Sequence, residues 1–246
     1  MSGSIYKAAA GALQQQVRLE MLSNNLANVN TIGYKADFPV FRFNEPVPKA
    51  DTATGDVPKL SPYLSPIDSV TNFDEGALRE TGNPLDVAIV GDGFFAVQTD
   101  DGIQYTRKGR FSVNEEGQLS TAGGNAVMGQ SGVIPIEGSR VEISEAGEVS
   151  VDGALVDVLR IVDFKRPYRM RKMGGTLFMP AESSVRPQES QNYRIAQGAV
   201  EASNVDALRT MTEMIESLRV FESYQKVIRA ADDATAKAVN EVGSVA

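Results

Sequence analysis

The chain has 246 residues, of which 42% are hydrophobic and 23% charged, and its formal net charge is −8. That composition suits one large or two modest folded cores, and the acidity sets the chain against nucleic acid and anionic membrane surfaces. The absence of cysteine and histidine excludes disulfides, thiolate nucleophiles, cysteine metal sites and the usual base near neutral pH.

Ile5, Ala8, Ala12, Gln15, Leu19, Leu22, Leu26 and Val29 recur at alternating intervals of three and four. This is the heptad pattern of a seam packed on another helix, with Gln15 its one polar member. Gly33 follows closely enough to stop the helix in a left-handed conformation, so the spacing predicts a helix from about Ser4 to Asn30. Its last turns hold Asn24, Asn25, Asn28 and Asn30, and asparagine competes with the helix backbone for hydrogen bonds. A demand other than the stability of the isolated helix therefore sets this composition. The N-terminal stretch lacks a basic segment followed by an apolar run, and no later stretch approaches the ~18 apolar residues of a membrane span. A soluble protein with no cleaved signal and no membrane insertion is expected.

Residues 36–75 hold six of the eleven prolines, together with polar runs such as KADTATGD, which predicts an extended connector. From about Leu78 short β-branched or aromatic runs take over: LDVAIV, GFFAVQ, IQYTR, RFSV, GQLST, RVEIS, EVSV and VLRIVDF. Turn signals such as GDG, DDG, NEEG, AGG and EAGE separate them, as in a compact antiparallel domain. Lys165 to about Gln197 is less regular. A second helix is then expected, capped by Ser203 or Asn204 with Asp206 in its first turn. Its stripe is Met211, Met214, Ile215, Leu218, Phe221, Tyr224, Ile228, Ala231 and Ala238. Two long amphipathic helices cannot bury such stripes alone, so they must pair with each other or with other subunits.

The expected fold class is α+β: paired N- and C-terminal helices forming a coiled-coil domain, and a central, mainly antiparallel β domain. The expected boundaries are an N-terminal helix segment at 1–35, the connector at 36–75, the β domain at 76–197 and the C-terminal helix segment at 198–246. Candidate chemical sites are sparse. Asp86, Asp92, Asp100 and Asp101 sit at strand ends or beside glycine, where aspartate bonds its own turn. Gly91, Gly93 and Gly102 do not lead into a helix, so a hairpin explains them better than a phosphate cradle. The run KRPYRMRK sets Lys165, Arg166, Arg169, Arg171 and Lys172 around Tyr168, as a solvated loop or as a surface for an acidic partner. No catalytic, cofactor-binding or metal-binding residue is assigned, and no small-molecule substrate or nucleic-acid partner is expected.

SNNLANVNTIGYKA, with Asn24, Asn25, Leu26, Ala27, Asn28, Gly33 and Tyr34, resembles the N-terminal signature of the bacterial flagellar rod and hook proteins. Three further segments agree in order: Gly82 to Val97, Tyr105 to Gly124 and Gln197 to Asp206. The modest length and the RIVDF run resemble the proximal-rod type more than the distal-rod or hook types, which stay as alternatives. The resemblance implies a subunit exported unfolded by the flagellar type III apparatus, without a cleaved signal, to the periplasmic rod of the basal body. It also implies helical assembly with copies of itself and other rod proteins into the shaft that transmits motor torque. Assembly would then use Ile5, Ala8, Ala12, Leu19, Leu22, Asn24, Asn25, Leu26, Asn28 and Val29 on the first helix, and Met211, Met214, Leu218, Phe221, Tyr224 and Ile228 on the second. The asparagine amides would bond across neighbouring helices. The other readings weighed are a β-scaffold enzyme, which would need a pocket of convergent polar groups, and a monomeric export or assembly adaptor, which would form a fixed one-to-one complex.

Overall fold

A computed structural model describes residues 2–40, 68–182 and 185–244, and they divide into two compact units. The first unit contains α1 (Ser2–Ala27), most of the described ends of the connector, and α2, the long C-terminal helix. Residues 41–67 of the connector lie outside the described residues. β1 (Asp37–Val40) pairs with β2 (Asp68–Thr71).

α1 ends at Ala27, a turn earlier than its spacing predicts. Asn28 closes a turn instead: Thr31 donates from its backbone to the Asn28 carbonyl at 3.0 Å and from its hydroxyl to Oδ1 at 3.1 Å. This is the local competition that makes asparagine a helix terminator. α2 (Ala207–Ser244) is capped by Asp206, not by Ser203 or Asn204. The Arg209 amide donates to Asp206 Oδ1 at 3.1 Å, and the Thr210 amide to its carbonyl at 2.9 Å, an acceptor where the helix dipole wants one.

The second unit is made from Asn28–Ala36 and Thr71–Val205. Its strands in chain order are β3 (Leu78–Glu80), β4 (Val87–Gly91), β5 (Phe94–Thr99), β6 (Gly102–Thr106), β7 (Phe111–Val113), β8 (Leu119–Thr121) and β9 (Ala126–Val127). They continue with β10 (Val141–Ile143), β11 (Glu148–Val151), β12 (Ala154–Val158), β13 (Ile161–Asp163), β14 (Met170–Gly174), β15 (Leu177–Pro180), β16 (Gln188–Glu189), β17 (Tyr193–Gln197) and β18 (Ala199–Glu201). The largest sheet runs β14-β15-β6-β5-β9-β8-β7, with β13 paired to both β5 and β16. The registered pairs in this unit are antiparallel.

Two expectations are corrected here. VLRIVDF is not one strand, because Leu159 leaves the ladder to bridge Gly129 between β12 and β13. The segment after Lys165 is more regular than it reads: β14 to β17 lie within it, and Met170–Lys172 of the basic run belong to an edge strand.

β5 organises the core through its side-chain period of two. Phe95 and Val97 face a cluster with Val87, Ile89, Leu119, Val127 and Val149. Phe94 and Ala96 face the other way, into a cluster with Tyr105, Val162, Phe164 and Phe178. Phe73 crowns the second cluster, its ring edge-on to Phe94 at 5.6 Å and to Phe178 at 5.1 Å, the arrangement that aromatic quadrupoles favour.

Candidate assembly site

In the first unit α1 and α2 pack on each other. Small residues let them approach: Ala8, Ala10 and Ala12 are buried, and a Cβ on Gly11 would lie 2.5 Å from the Tyr224 ring. Gln15, the polar member of the heptad, accepts a hydrogen bond from the Ser217 hydroxyl at 2.7 Å, and Ser217 is 2% exposed. On α2 the inward line is Thr210, Met214, Ser217, Phe221, Tyr224 and Ile228, all buried or half-buried. This again alternates by three and four. The polar inward positions Thr210 and Ser217 are what an apolar-periodicity search passes over.

The residues expected to mediate assembly fall into distinct settings. Ala8, Ala12, Leu22 and Asn25 are buried; Ile5, Leu19, Leu26, Asn28 and Val29 are half-buried; Asn24 is exposed. Asn25 is engaged within the unit: its amide donates to the Asp37 carbonyl at 2.8 Å, and its Oδ1 accepts from the Asp37 amide at 3.0 Å. Asn28 and Val29 lie in the second unit, beyond the helix. On α2, Met214, Phe221, Tyr224 and Ile228 turn inward, whereas Met211 and Leu218 are exposed. With Leu208 and Ile215 they form a second apolar stripe, 42–77% exposed, a large apolar surface for a chain standing alone.

The rest of the signature meets in the second unit. Glu201, 1% exposed, accepts from Lys35 Nζ at 2.6 Å and the Gly76 amide at 2.9 Å on Oε1, and from Arg107 Nη1 at 3.3 Å on Oε2. Its carbonyl accepts from the Gly33 amide at 2.8 Å. Lys35, also 1% exposed, donates to the Asp74 carbonyl at 2.7 Å, and Arg107 donates to the carbonyls of Ile89 and Gly91. Burial pulls the Lys35 pKa below its usual value, and Glu201 opposes that pull. Two cations face one carboxylate, so a proton off Lys35 relieves the excess. Gly33 is needed here: its φ is +67° and a Cβ would meet the Lys108 amide nitrogen at 2.5 Å. Asn204, expected as a helix cap, binds two distant segments instead: Oδ1 accepts from the Ala36 amide at 2.8 Å, and Nδ2 donates to the carbonyls of Asn72 at 2.9 Å and Asp74 at 3.0 Å.

The candidate carboxylates serve structure. Asp86 is buried beside Asn83 and Arg110. Asp92 pairs with Arg166, both partly exposed.

One unit is a helix pair with an uncovered apolar stripe and the other a β unit closed by a buried ionic knot; the uncovered stripe is a feature of a subunit of a larger assembly. Three family models match in order: "Flagella basal body rod protein" over residues 5–35, "Flagellar hook protein FlgE/F/G D1 domain" over 88–151 and "Flagellar basal body rod FlgEFG protein C-terminal" over 196–241. The chain belongs to the flagellar rod and hook protein family. Its likeness to FlgF runs end to end: the flagellar basal-body rod protein FlgF of Caulobacter vibrioides is 31% identical over 248 residues, covering 100% of each chain. The flagellar hook-basal body complex protein FlhO of Bacillus subtilis is 32% identical over 277 aligned residues, again covering 100% of each. The flagellar basal-body rod protein FlgG of Agrobacterium fabrum is 33% identical over 251, covering 92% of this chain and 94% of its own.

Proposed function

We propose that the chain is a structural, non-enzymatic subunit of the flagellar basal-body rod, polymerising helically with its own copies and other rod proteins into the torque-transmitting shaft. The likeness to rod proteins over the full length supports this reading. The observation that carries it is the second apolar stripe on α2, Leu208, Met211, Ile215 and Leu218, which α1 does not cover. In the rod, that stripe docks on helices of neighbouring subunits, and α1 and α2 act as a coiled coil at the axis. The expected assembly residues divide accordingly. Met214, Phe221, Tyr224 and Ile228 hold the pair together, whereas Met211 and Leu218 meet the neighbours. The subunit reaches the periplasm through the flagellar export apparatus.

Leu218→Asp tests this. The residue is 42% exposed in the single chain, so a charge there costs the monomer little, but in a covered interface it must be desolvated. The variant is expected to keep its circular dichroism and melting temperature while cells carrying it build no complete rod and do not swim. Normal swimming would remove the stripe from the interface.

A further inference from the structure

The basic run KRPYRMRK plays no part in the helix pair or the ionic knot, apart from Lys172, whose Nζ lies 4.3 Å from the Tyr34 ring centroid and donates to the Lys35 carbonyl at 2.6 Å. Its other cations, Arg171 apart, line a cleft of about 480 Å³ in the second unit. Lys165, Arg166, Arg169 and Arg186 converge on it, with Val185 in its wall. Arg166 is paired with Asp92 and Arg169 with Glu182, and all four partners are at least 31% exposed. Lys165 and Arg186 have no carboxylate partner among the described residues. Convergent cations in a chain of net charge −8 repel one another at a cost, which an incoming anion offsets.

A second cleft, of about 610 Å³, shares Gln188 with the first. Its sign is opposite: Asp92, Asp163 and Glu189 line it. Asp163 already accepts from the Tyr168 hydroxyl at 2.7 Å and Asp92 from Arg166, whereas Glu189 is exposed and has no cation partner among the described residues. The surface is therefore bipolar: unpaired positive charge in one cleft, unpaired negative charge in its neighbour, and one residue common to both. A surface positive in one cleft and negative in the next offers opposite charge to a second copy meeting it head to tail, and the exposed pairs on it are weak enough to exchange partners.

We propose that these adjoining clefts are a docking surface between copies of this chain, in which Lys165 and Arg186 of one copy receive Glu189 of another. The proposal rests on the reading of the chain as a self-assembling subunit, and adds a polar contact borne by the β unit to the helix contact borne by α2. Such a contact fixes which neighbours meet and in what register more than it adds affinity.

The test uses full-length protein carrying Leu218→Asp, so that the helix contact is disabled, and sedimentation velocity over a concentration series. Self-association is expected at about 10 mM salt and is lost at about 1 M, where the screening length is only about 3 Å. Adding Lys165→Glu with Arg186→Glu is expected to lower the association constant by at least about tenfold, as is adding Glu189→Lys, because each sets like charge against like charge. All three residues are exposed, so the circular dichroism of both variants should match that of the parent. An equimolar mixture of the two is expected to associate as the parent does, since each restores opposite charge to the other. Association of either variant alone at parental strength, or failure of the mixture to recover, overturns the proposal. The rod reading is judged separately, by the swimming of cells with Leu218→Asp, so either reading can fail without the other.

Discussion

Glu201 gathers donors from residues 33, 35, 76 and 107 on its carboxylate and carbonyl. Glu201→Gln keeps the size of the side chain and removes the negative charge that both Lys35 and Arg107 contact. Breaking a buried pair by neutralising one partner typically costs about 3–5 kcal/mol, because the remaining charge stays desolvated. The urea midpoint of the second unit is expected to fall accordingly, with the helical signal at 222 nm affected less. An unchanged midpoint would show that the ionic knot does not hold the second unit together. Gly33 belongs to the same knot, since the backbone of Arg107 and Lys108 occupies the space a side chain there would need.

At the scale of elements, the Ser217–Gln15 hydrogen bond sets the register of α1 on α2. Ser217→Ala leaves the Gln15 oxygen without its donor, and is expected to cost about 1 kcal/mol. Ser217→Ala with Gln15→Leu removes both polar groups and is expected to recover most of that loss, read as the melting temperature of the helical signal. Equal loss in the single and double variants would mean that the bond does not hold the pair. The helices and most strands were legible in the sequence because heptad spacing and alternation are local, and both operate within a few residues of any position. The roles of Asn25, Asn204 and Glu201 were not legible. Asn204 reads as a cap because it stands just before a helix, yet its partners are Ala36, Asn72 and Asp74, more than a hundred residues away. The split of VLRIVDF at Leu159 escaped for the same reason, since its bridge to Gly129 leaves no periodic trace. The α2 spacing predicts one apolar stripe, but it divides into an inward line at Met214, Phe221 and Ile228 and an outward one at Met211, Ile215 and Leu218.

For the molecule as a whole, burial raises the pKa of Tyr105, Tyr168 and Tyr193 above the ordinary value of 10.0. A folded state that holds these protons more tightly than the unfolded chain is fully favoured below pH 10 and loses that advantage as pH rises through the folded values. Stability is therefore expected to fall above pH 10, with phenolate absorbance at 295 nm rising late and together with unfolding. Early, non-cooperative ionisation of all the tyrosines would contradict this. The ionic knot has a further consequence, in time rather than in energy. Lys35 and Glu201 are 166 positions apart, β18 pairs with β3 and β17 with β4 across more than a hundred residues, and closing such long loops slows folding. A chain emerging from its N-terminus has its lysine waiting while more than four-fifths of the sequence is still to come. Until residues 193–201 arrive, the sheet pairs of β3 and β4 are unmade, whatever the strands between them have already formed; the last strand before α2 is the latch that closes the second unit.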